Sequence, residues 1–171
     1  GFYIILFKEF SVFWIGITGV LISVFYSIPP FKLAYRGLGE VTVGITFGPL
    51  ILCGIYLVMT GSIDLRAIVV SIPIGLLIAN VLWINQYPDY EADLQGGKMN
   101  WVVRLGKKKA LKIYKLLFIL AYAFFPLISI ILRNWSWLLG FSTVPLALQA
   151  VKTAQIYYND IPRLIKANAR T

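Results

Sequence analysis

Long apolar runs separated by short charged connections dominate this chain and limit what it can fold into. A helix needs roughly 20 apolar residues to cross a hydrocarbon core about 30 Å thick, and four runs meet or approach that length while a fifth is shorter. The runs are Phe10–Ile28, Val41–Met59, Ala67–Tyr87, Leu111–Leu132 and Trp135–Val151. The sequence therefore predicts an all-α, multi-pass transmembrane helix bundle, with about five spans in a single transmembrane domain over residues 1–171.

Composition supports a membrane protein and removes several kinds of chemistry. The chain is 59% hydrophobic and only 13% charged, which is more apolar surface than a soluble domain of this length can bury. It contains no His, and its one cysteine, Cys53, lies inside a span, so imidazole bases, disulfides and thiolate metal sites are excluded. The net charge of +9 comes from bases between the spans, where they meet anionic head groups. The expected partner is therefore the lipid bilayer and not nucleic acid.

The distribution of basic residues predicts an orientation. Thirteen of the sixteen bases fall in alternate connections, or after the fifth span, and so on one side of the membrane. Basic loops face the cytoplasm in most membrane proteins. We expect a multi-pass protein of the cell membrane whose basic loops are cytoplasmic. The other three bases are Lys8, Arg66 and Arg133.

Two carboxylates follow the third span on the predicted cytoplasmic side. Asp89 and Asp93 are four residues apart, so on a helix they share one face and can reach a common cation. Asn85 supplies a neutral oxygen one turn earlier, and Lys98 and Arg104 follow as phosphate-binding cations. Mg²⁺ prefers one or two carboxylates together with substrate phosphates. The segment therefore predicts a site for Mg²⁺ and a diphosphate, although solvated interfacial acids are the simpler interpretation of the pair alone.

A second group of polar residues lies on the same side, between the first two spans. Tyr26, Lys32, Arg36 and Glu40 occur in a segment interrupted by prolines and glycines, and they could face the same substrate cavity as the acids. A structured loop carrying positive-inside charges is the alternative interpretation.

Together these segments resemble the UbiA superfamily of intramembrane aromatic prenyltransferases. The resemblance is carried by Asn85-x-x-x-Asp89-x-x-x-Asp93, Gly97-Lys98, Val103-Arg104-Leu105-Gly106, Tyr26-Ser-x-Pro-Pro and Tyr35-Arg-Gly-Leu-Gly-Glu40. The first three are similar to the family's second aspartate-rich motif with its basic segment. The last two look most like the 1,4-dihydroxy-2-naphthoate polyprenyltransferases of menaquinone synthesis.

The resemblance implies a nine-helix fold, in which these five spans would be the fourth to the eighth. It implies transfer of a polyprenyl group from a polyprenyl diphosphate to an aromatic acceptor. Asp89 and Asp93 would be the catalytic, Mg²⁺-binding residues, with Asn85, Lys98 and Arg104 binding the diphosphate. Aromatic faces would shield the allylic cation, with Tyr87, Tyr90 and Trp101 as candidates.

Two departures from the family pattern qualify these expectations. The family's first aspartate-rich motif is absent from these 171 residues, so we expect a fragment without the N-terminal helices that carry it and without the last helix. Met99-Asn100-Trp101 stands where relatives usually have a basic residue followed by Thr. The alternatives are another acceptor (4-hydroxybenzoate, homogentisate or a glycerol-phosphate lipid) and, outside enzymes, a transporter subunit.

Overall fold

The computed structural model describes Ile4, Leu6 and residues 10–168, without the side chains of residues 166–168. The described part is built from helices and turns, and no strand occurs in it. Its α-helices are α1 (Val12–Ser27), α2 (Gly39–Ile45), α3 (Ile51–Thr60), α4 (Leu65–Asn85), α5 (Tyr90–Gln95), α6 (Trp101–Leu105), α7 (Lys107–Leu132), α8 (Val144–Tyr157) and α9 (Ile161–Asn168).

The predicted multi-pass helical bundle is confirmed. Within the described residues, three helical segments are long and apolar enough to cross a membrane: Gly39–Thr60, Leu65–Asn85 and Lys107–Leu132. The first predicted span forms α1, which is apolar but has only 16 residues. The fourth span begins earlier than predicted, so the lysines before Leu111 belong to helix α7.

The fifth predicted span, Trp135–Val151, is not one α-helix. Trp135–Thr143 forms a 3₁₀-helix, and the α-helix α8 begins only at Val144. Pro145 stands in the first turn of α8, where its missing N–H costs nothing. A Cβ on Gly140 would lie 2.6 Å from the Phe125 ring, so the 3₁₀-helix lies flush against α7.

The second span is continuous but contains an irregular turn. Thr46–Leu50 is a π-helix between α2 and α3, at the place where Pro49 cannot donate the usual backbone hydrogen bond. This turn packs main chain to main chain on α4, because a Cβ on Gly48 would lie 2.7 Å from both Gly75 Cα and Ser71 O. The contact fixes the separation of the second and third spans.

Helices α4 and α7 form the most extensive contact between two helices of the described chain. Near the end of α4 and the start of α7, Trp83 Nε1 donates to Ala110 O at 3.1 Å and the Tyr87 hydroxyl donates to Lys107 O at 2.9 Å. Tyr87 is only 1% exposed. It is therefore a core residue, and its buried ring does not match the expectation that it shields the allylic cation.

Candidate active site

Asp89 and Asp93 lie on one short helix that follows the third span. Asp89 is the N-cap of α5, and Asp93 N donates to Asp89 O at 2.8 Å. The two carboxylates differ in environment. The Asp89 side chain is exposed and has no ion pair or hydrogen bond with the residues that the structure describes. The Asp93 side chain is only 12% exposed and is held in place.

Two donors hold the Asp93 carboxylate. Lys98 Nζ lies 3.1 Å from each carboxylate oxygen, and Asn100 Nδ2 donates to Oδ2 at 2.7 Å. Lys98 returns to Asp93 because Gly97 adopts a positive φ of 69° between them. This turn brings Lys98 back to Asp93, one of the two carboxylates predicted to form the site.

Asn100 is a residue that the sequence analysis did not assign to the site. It is 1% exposed, and its Oδ1 accepts from Val103 N at 2.9 Å, which makes it the N-cap of α6. An Asn immediately before a short apolar helix is an N-cap signal that could have been used. Because its amide group also bonds Asp93, Asn100 ties a carboxylate of the site to the start of α6.

Arg104 joins the loop that follows α1 to the segment that follows α4, through main-chain carbonyls. Its Nε donates to Met99 O at 2.7 Å, and its Nη2 donates to Arg36 O at 3.0 Å. Gly37 has φ +75°, and a Cβ there would lie 3.2 Å from Arg104 Nε, so a side chain would crowd the guanidinium. A backbone bond from Met99 N to Tyr35 O at 3.0 Å completes the junction. The two segments singled out from the sequence thus form one surface.

Glu40 is the buried carboxylate of this surface, with 4% exposure. Its Oε1 accepts from Gln86 Nε2 at 2.9 Å and from Trp101 N at 3.2 Å. Its Oε2 has no hydrogen-bond partner in the described part of the chain. Glu40 therefore connects the start of α2, the end of α4 and the start of α6, and Gln86 is a second contributor that sequence reasoning missed.

The other predicted residues occupy different positions on this surface. Tyr26 is half-buried and lies within electrostatic range of Lys98 and Glu40. Arg36 and Lys32 are exposed, with Arg36 Nη2 donating to Pro30 O at 3.1 Å and Lys32 Nζ lying 5.6 Å from the Tyr35 ring.

Neither Arg36 nor Lys32 forms an ion pair with a described carboxylate. Asn85 is exposed at the end of α4, one turn before Asp89.

An apolar groove of about 330 Å³ begins beside this surface and runs between α2 and α4. We call it the α2–α4 groove. Among the residues that the structure describes, Glu40 is the one charged residue in its lining, and Trp101 and Trp83 stand at the same end. Of the three aromatic candidates, Trp101 lines this groove, whereas the Tyr90 ring lies under Lys107 Nζ at 4.8 Å. The geometry places a polar, carboxylate-bearing surface at the mouth of an apolar channel.

The donor set fits Mg²⁺ carried by a phosphorylated substrate. No group of three or more Asp, Glu, His or Cys residues lies together in the described residues, so an all-protein cage is not available there. Mg²⁺ is commonly held by one or two carboxylates, with phosphates and water completing its octahedron. Asp89, exposed and unpaired with described residues, and Asp93, oriented by Lys98 and Asn100, match that preference.

A comparison with protein families now identifies the class of protein. The model of the UbiA prenyltransferase family matches residues 1–168, and this chain belongs to that family. The family resemblance noted from the sequence is therefore confirmed.

Similar proteins from several organisms carry more particular names. The chain is 30% identical over 153 residues to a 1,4-dihydroxy-2-naphthoate octaprenyltransferase of Bacillus subtilis (strain 168), covering 89% of this chain and 49% of that protein. It is 30% identical over 148 residues to a 2-carboxy-1,4-naphthoquinone phytyltransferase of Synechocystis, covering 85% and 48% respectively. It is 33% identical over 110 residues to UbiA prenyltransferase domain-containing protein 1 of Dictyostelium discoideum, covering 64% and 33%. The chain thus spans about half the length of the first two relatives, and no solved structure matches it significantly.

Proposed function

We propose that this chain forms part of an intramembrane polyprenyltransferase that transfers a prenyl group from a prenyl diphosphate to an aromatic acceptor resembling 1,4-dihydroxy-2-naphthoate. The observation that carries the proposal is the Asp89–Asp93 pair with Lys98, which Asn100 connects to the adjacent Trp101 in the lining of the α2–α4 groove. A prenyl diphosphate has a charged head group and a long apolar tail, so it needs a polar site next to an apolar groove. The names of the relatives from Bacillus subtilis and Synechocystis support the naphthoate-like acceptor.

Mg²⁺ is part of the proposal, held by Asp89 and Asp93, and when bound it would neutralise charge on the diphosphate. The chain's own residues prepare this site. Lys98 has three N–H donors and uses at most two on the Asp93 oxygens, so at least one remains for a phosphate oxygen. Arg104 has five N–H donors, and its bonds to Met99 O and Arg36 O hold the guanidinium in position while leaving others available.

Fixed cations at this position stabilise the charge that develops on the leaving diphosphate. As the allylic carbon–oxygen bond breaks, the diphosphate keeps the electron pair, and a ring carbon of the acceptor forms the new carbon–carbon bond. The substituent already on that ring carbon then leaves without its bonding electrons, either as a proton taken up by the diphosphate or water, or as CO2 from a carboxylate, and the aromatic ring is restored. The acceptor's hydroxyls enrich its ring in electrons, so the absence of His from the chain is no obstacle. Trp101, at the mouth of the groove, can present its ring face to the allylic cation.

Orientation and location complete the proposal. The loops at 28–38 and 86–106 contact one another, so they lie on the same side of the membrane. We place that side in the cytoplasm and the protein in the cell membrane, on the strength of the basic residues in these loops.

The experiment is prenyl transfer by the full-length protein in membranes, with labelled prenyl diphosphates, a panel of aromatic acceptors and added Mg²⁺. Asp89→Asn and Asp93→Asn should each lower the rate by about 10²–10³ or more, by analogy with the loss of one oxyanion donor. Glu91→Gln is the matched control, because Glu91 lies on the same helix with its side chain 71% exposed and contacts Lys107 instead. Near-normal transfer by both aspartate variants would overturn the site, and transfer only to other acceptors would overturn the acceptor.

A further inference from the structure

A second apolar groove lies between α7 and α8, away from the carboxylates. It has a volume of about 420 Å³, and we call it the α7–α8 groove. Phe118, Tyr122 and Phe141 form an aromatic floor, and the Tyr122 ring stacks on Phe141 at a centroid distance of 6.1 Å. Within the described part of the chain, Lys115 is the one charged residue in its lining, and no carboxylate lines it. Such a lining is unsuited to a magnesium diphosphate, so the groove does not duplicate the candidate active site.

The length of the groove matches one leaflet of a bilayer. Its lining residues on α7 run from Lys115 to Pro126, which at a rise of 1.5 Å per residue is about 16 Å. The hydrocarbon core is about 30 Å thick, so one leaflet is about 15 Å deep. An acyl chain of a phospholipid in that leaflet would fill the groove from end to end.

The end of the groove on the loop side is positively charged. Lys108, Lys112 and Lys115 are spaced by four and three residues, so they follow the groove-facing side of α7, and all three are exposed. On α8, Lys152 stands one turn after the lining residue Leu148 and is also exposed. The charge at this end is therefore suited to an anionic head group.

The first turn of α7 also carries an excess of positive charge. It contains three lysines and no acidic residue, although the N-terminus of a helix already carries partial positive charge. Among these lysines, Lys107 is engaged with Glu91 at 3.6 Å and with the Tyr90 ring. Lys108 and Lys109 are exposed, and a phosphate at this end would relieve the repulsion between like charges.

We propose that the α7–α8 groove binds an anionic phospholipid, with one acyl chain on the aromatic floor and the phosphate on Lys112 and Lys115. The argument combines the leaflet-length groove with charge complementarity at one end. It does not depend on the catalytic activity of the protein.

The test measures lipid binding to the purified full-length protein in detergent by native mass spectrometry, with phosphatidylglycerol and phosphatidylcholine as probes. The wild type should retain phosphatidylglycerol in preference to phosphatidylcholine. The double variant Lys112→Ser with Lys115→Ser should weaken phosphatidylglycerol binding roughly tenfold or more. The reason is that each base near an anionic surface raises the affinity by a factor of about five. Lys112→Arg with Lys115→Arg keeps the charge and should retain binding.

A second pair of variants tests the groove itself. Leu148→Trp places a large ring in the groove and should reduce binding, whereas Leu146→Trp, on an exposed part of α8 outside the groove, should not. Equal retention of the two lipids by the wild type, or equal effects of the two Trp variants, would overturn the proposal. Displacement of phosphatidylglycerol by a prenyl diphosphate would also overturn it, since the groove would then belong to the donor.

Discussion

Asn100 offers a sharp test of how the carboxylate site is built, because it performs two separable tasks. Its Oδ1 caps α6 through Val103 N, and its Nδ2 bonds Asp93 Oδ2 at 2.7 Å. Asn100→Thr keeps a capping oxygen and replaces the Nδ2 amide that donates to Asp93 with a shorter hydroxyl. Asn100→Ala removes both.

The structure gives the expected size of each loss. A hydrogen bond to a charged group contributes about 1.5–3 kcal/mol, and this one is short and lies at a residue only 1% exposed. An N-cap contributes about 1 kcal/mol. Asn100→Thr should therefore lower the free energy of unfolding by about 2 kcal/mol, and Asn100→Ala by about 1 kcal/mol more.

The assay is denaturant unfolding of the full-length protein in detergent micelles, followed by circular dichroism, in a double-mutant cycle with Asp93→Ala. The coupling between Asn100→Thr and Asp93→Ala should be about 1.5–3 kcal/mol. In transfer assays, Asn100→Thr should raise the Mg²⁺ concentration needed for half-maximal rate by about 10–100-fold, as is typical when a residue that orients a metal ligand is lost. A coupling near zero, with an unchanged Mg²⁺ requirement, would refute the idea that Asn100 positions Asp93.

Three further predictions concern the scaffold. Gly75→Ala should destabilise the protein by about 1–3 kcal/mol, because its Cβ would collide with the main chain of α2. Gly16→Ala has open space around it and should be neutral or slightly stabilising. Thermal unfolding of the two purified variants compares these effects. Arg66, chiefly by its side-chain hydrogen bonds, lowers the pKa of Asp64. Asp64 therefore adds stability above about pH 4, and this stability is lost as the pH falls through the lowered pKa. When the free energy of unfolding is measured against pH, Asp64→Asn should not show this loss. An impermeant thiol reagent applied to intact cells should label cysteines introduced in the α3–α4 loop but not in the α4–α7 connection, and the reverse pattern would invert the proposed orientation.

The sequence predicted most of the fold because hydrophobic length is a strong signal. Val41–Met59 and Ala67–Tyr87 were predicted within two residues of the helical segments Gly39–Thr60 and Leu65–Asn85. The local structure of the fifth predicted span was not predicted, because length and hydropathy do not distinguish a 3₁₀-helix from an α-helix. There the contact of Gly140 with Phe125 and the position of Pro145 decide the local structure.

The candidate site was predicted in part, for a different reason. Charged residues at interfaces are conspicuous in an apolar chain, so Asp93, Lys98 and Glu40 could be singled out, and the structure brings them to one surface. Asn100 and Gln86 are neutral amides whose importance depends on contacts between residues up to 46 positions apart, and no local pattern reports such contacts. The roles of Asp89, Asp93, Lys98 and Arg104 in binding Mg²⁺ and substrate stay predictions, to be decided by the transfer assay.

The glycine contact between the second and third spans has a consequence for substrate selection. One wall of the α2–α4 groove is a backbone junction through Gly44 and Gly75, which no rotamer change can widen or narrow. If this groove holds the prenyl chain, as proposed, its adjustment to a longer or bulkier chain must come from trimming side chains such as Ile45, Leu76 and Leu117. The width of the groove can therefore be changed by substituting those three residues but not by repacking the glycine junction.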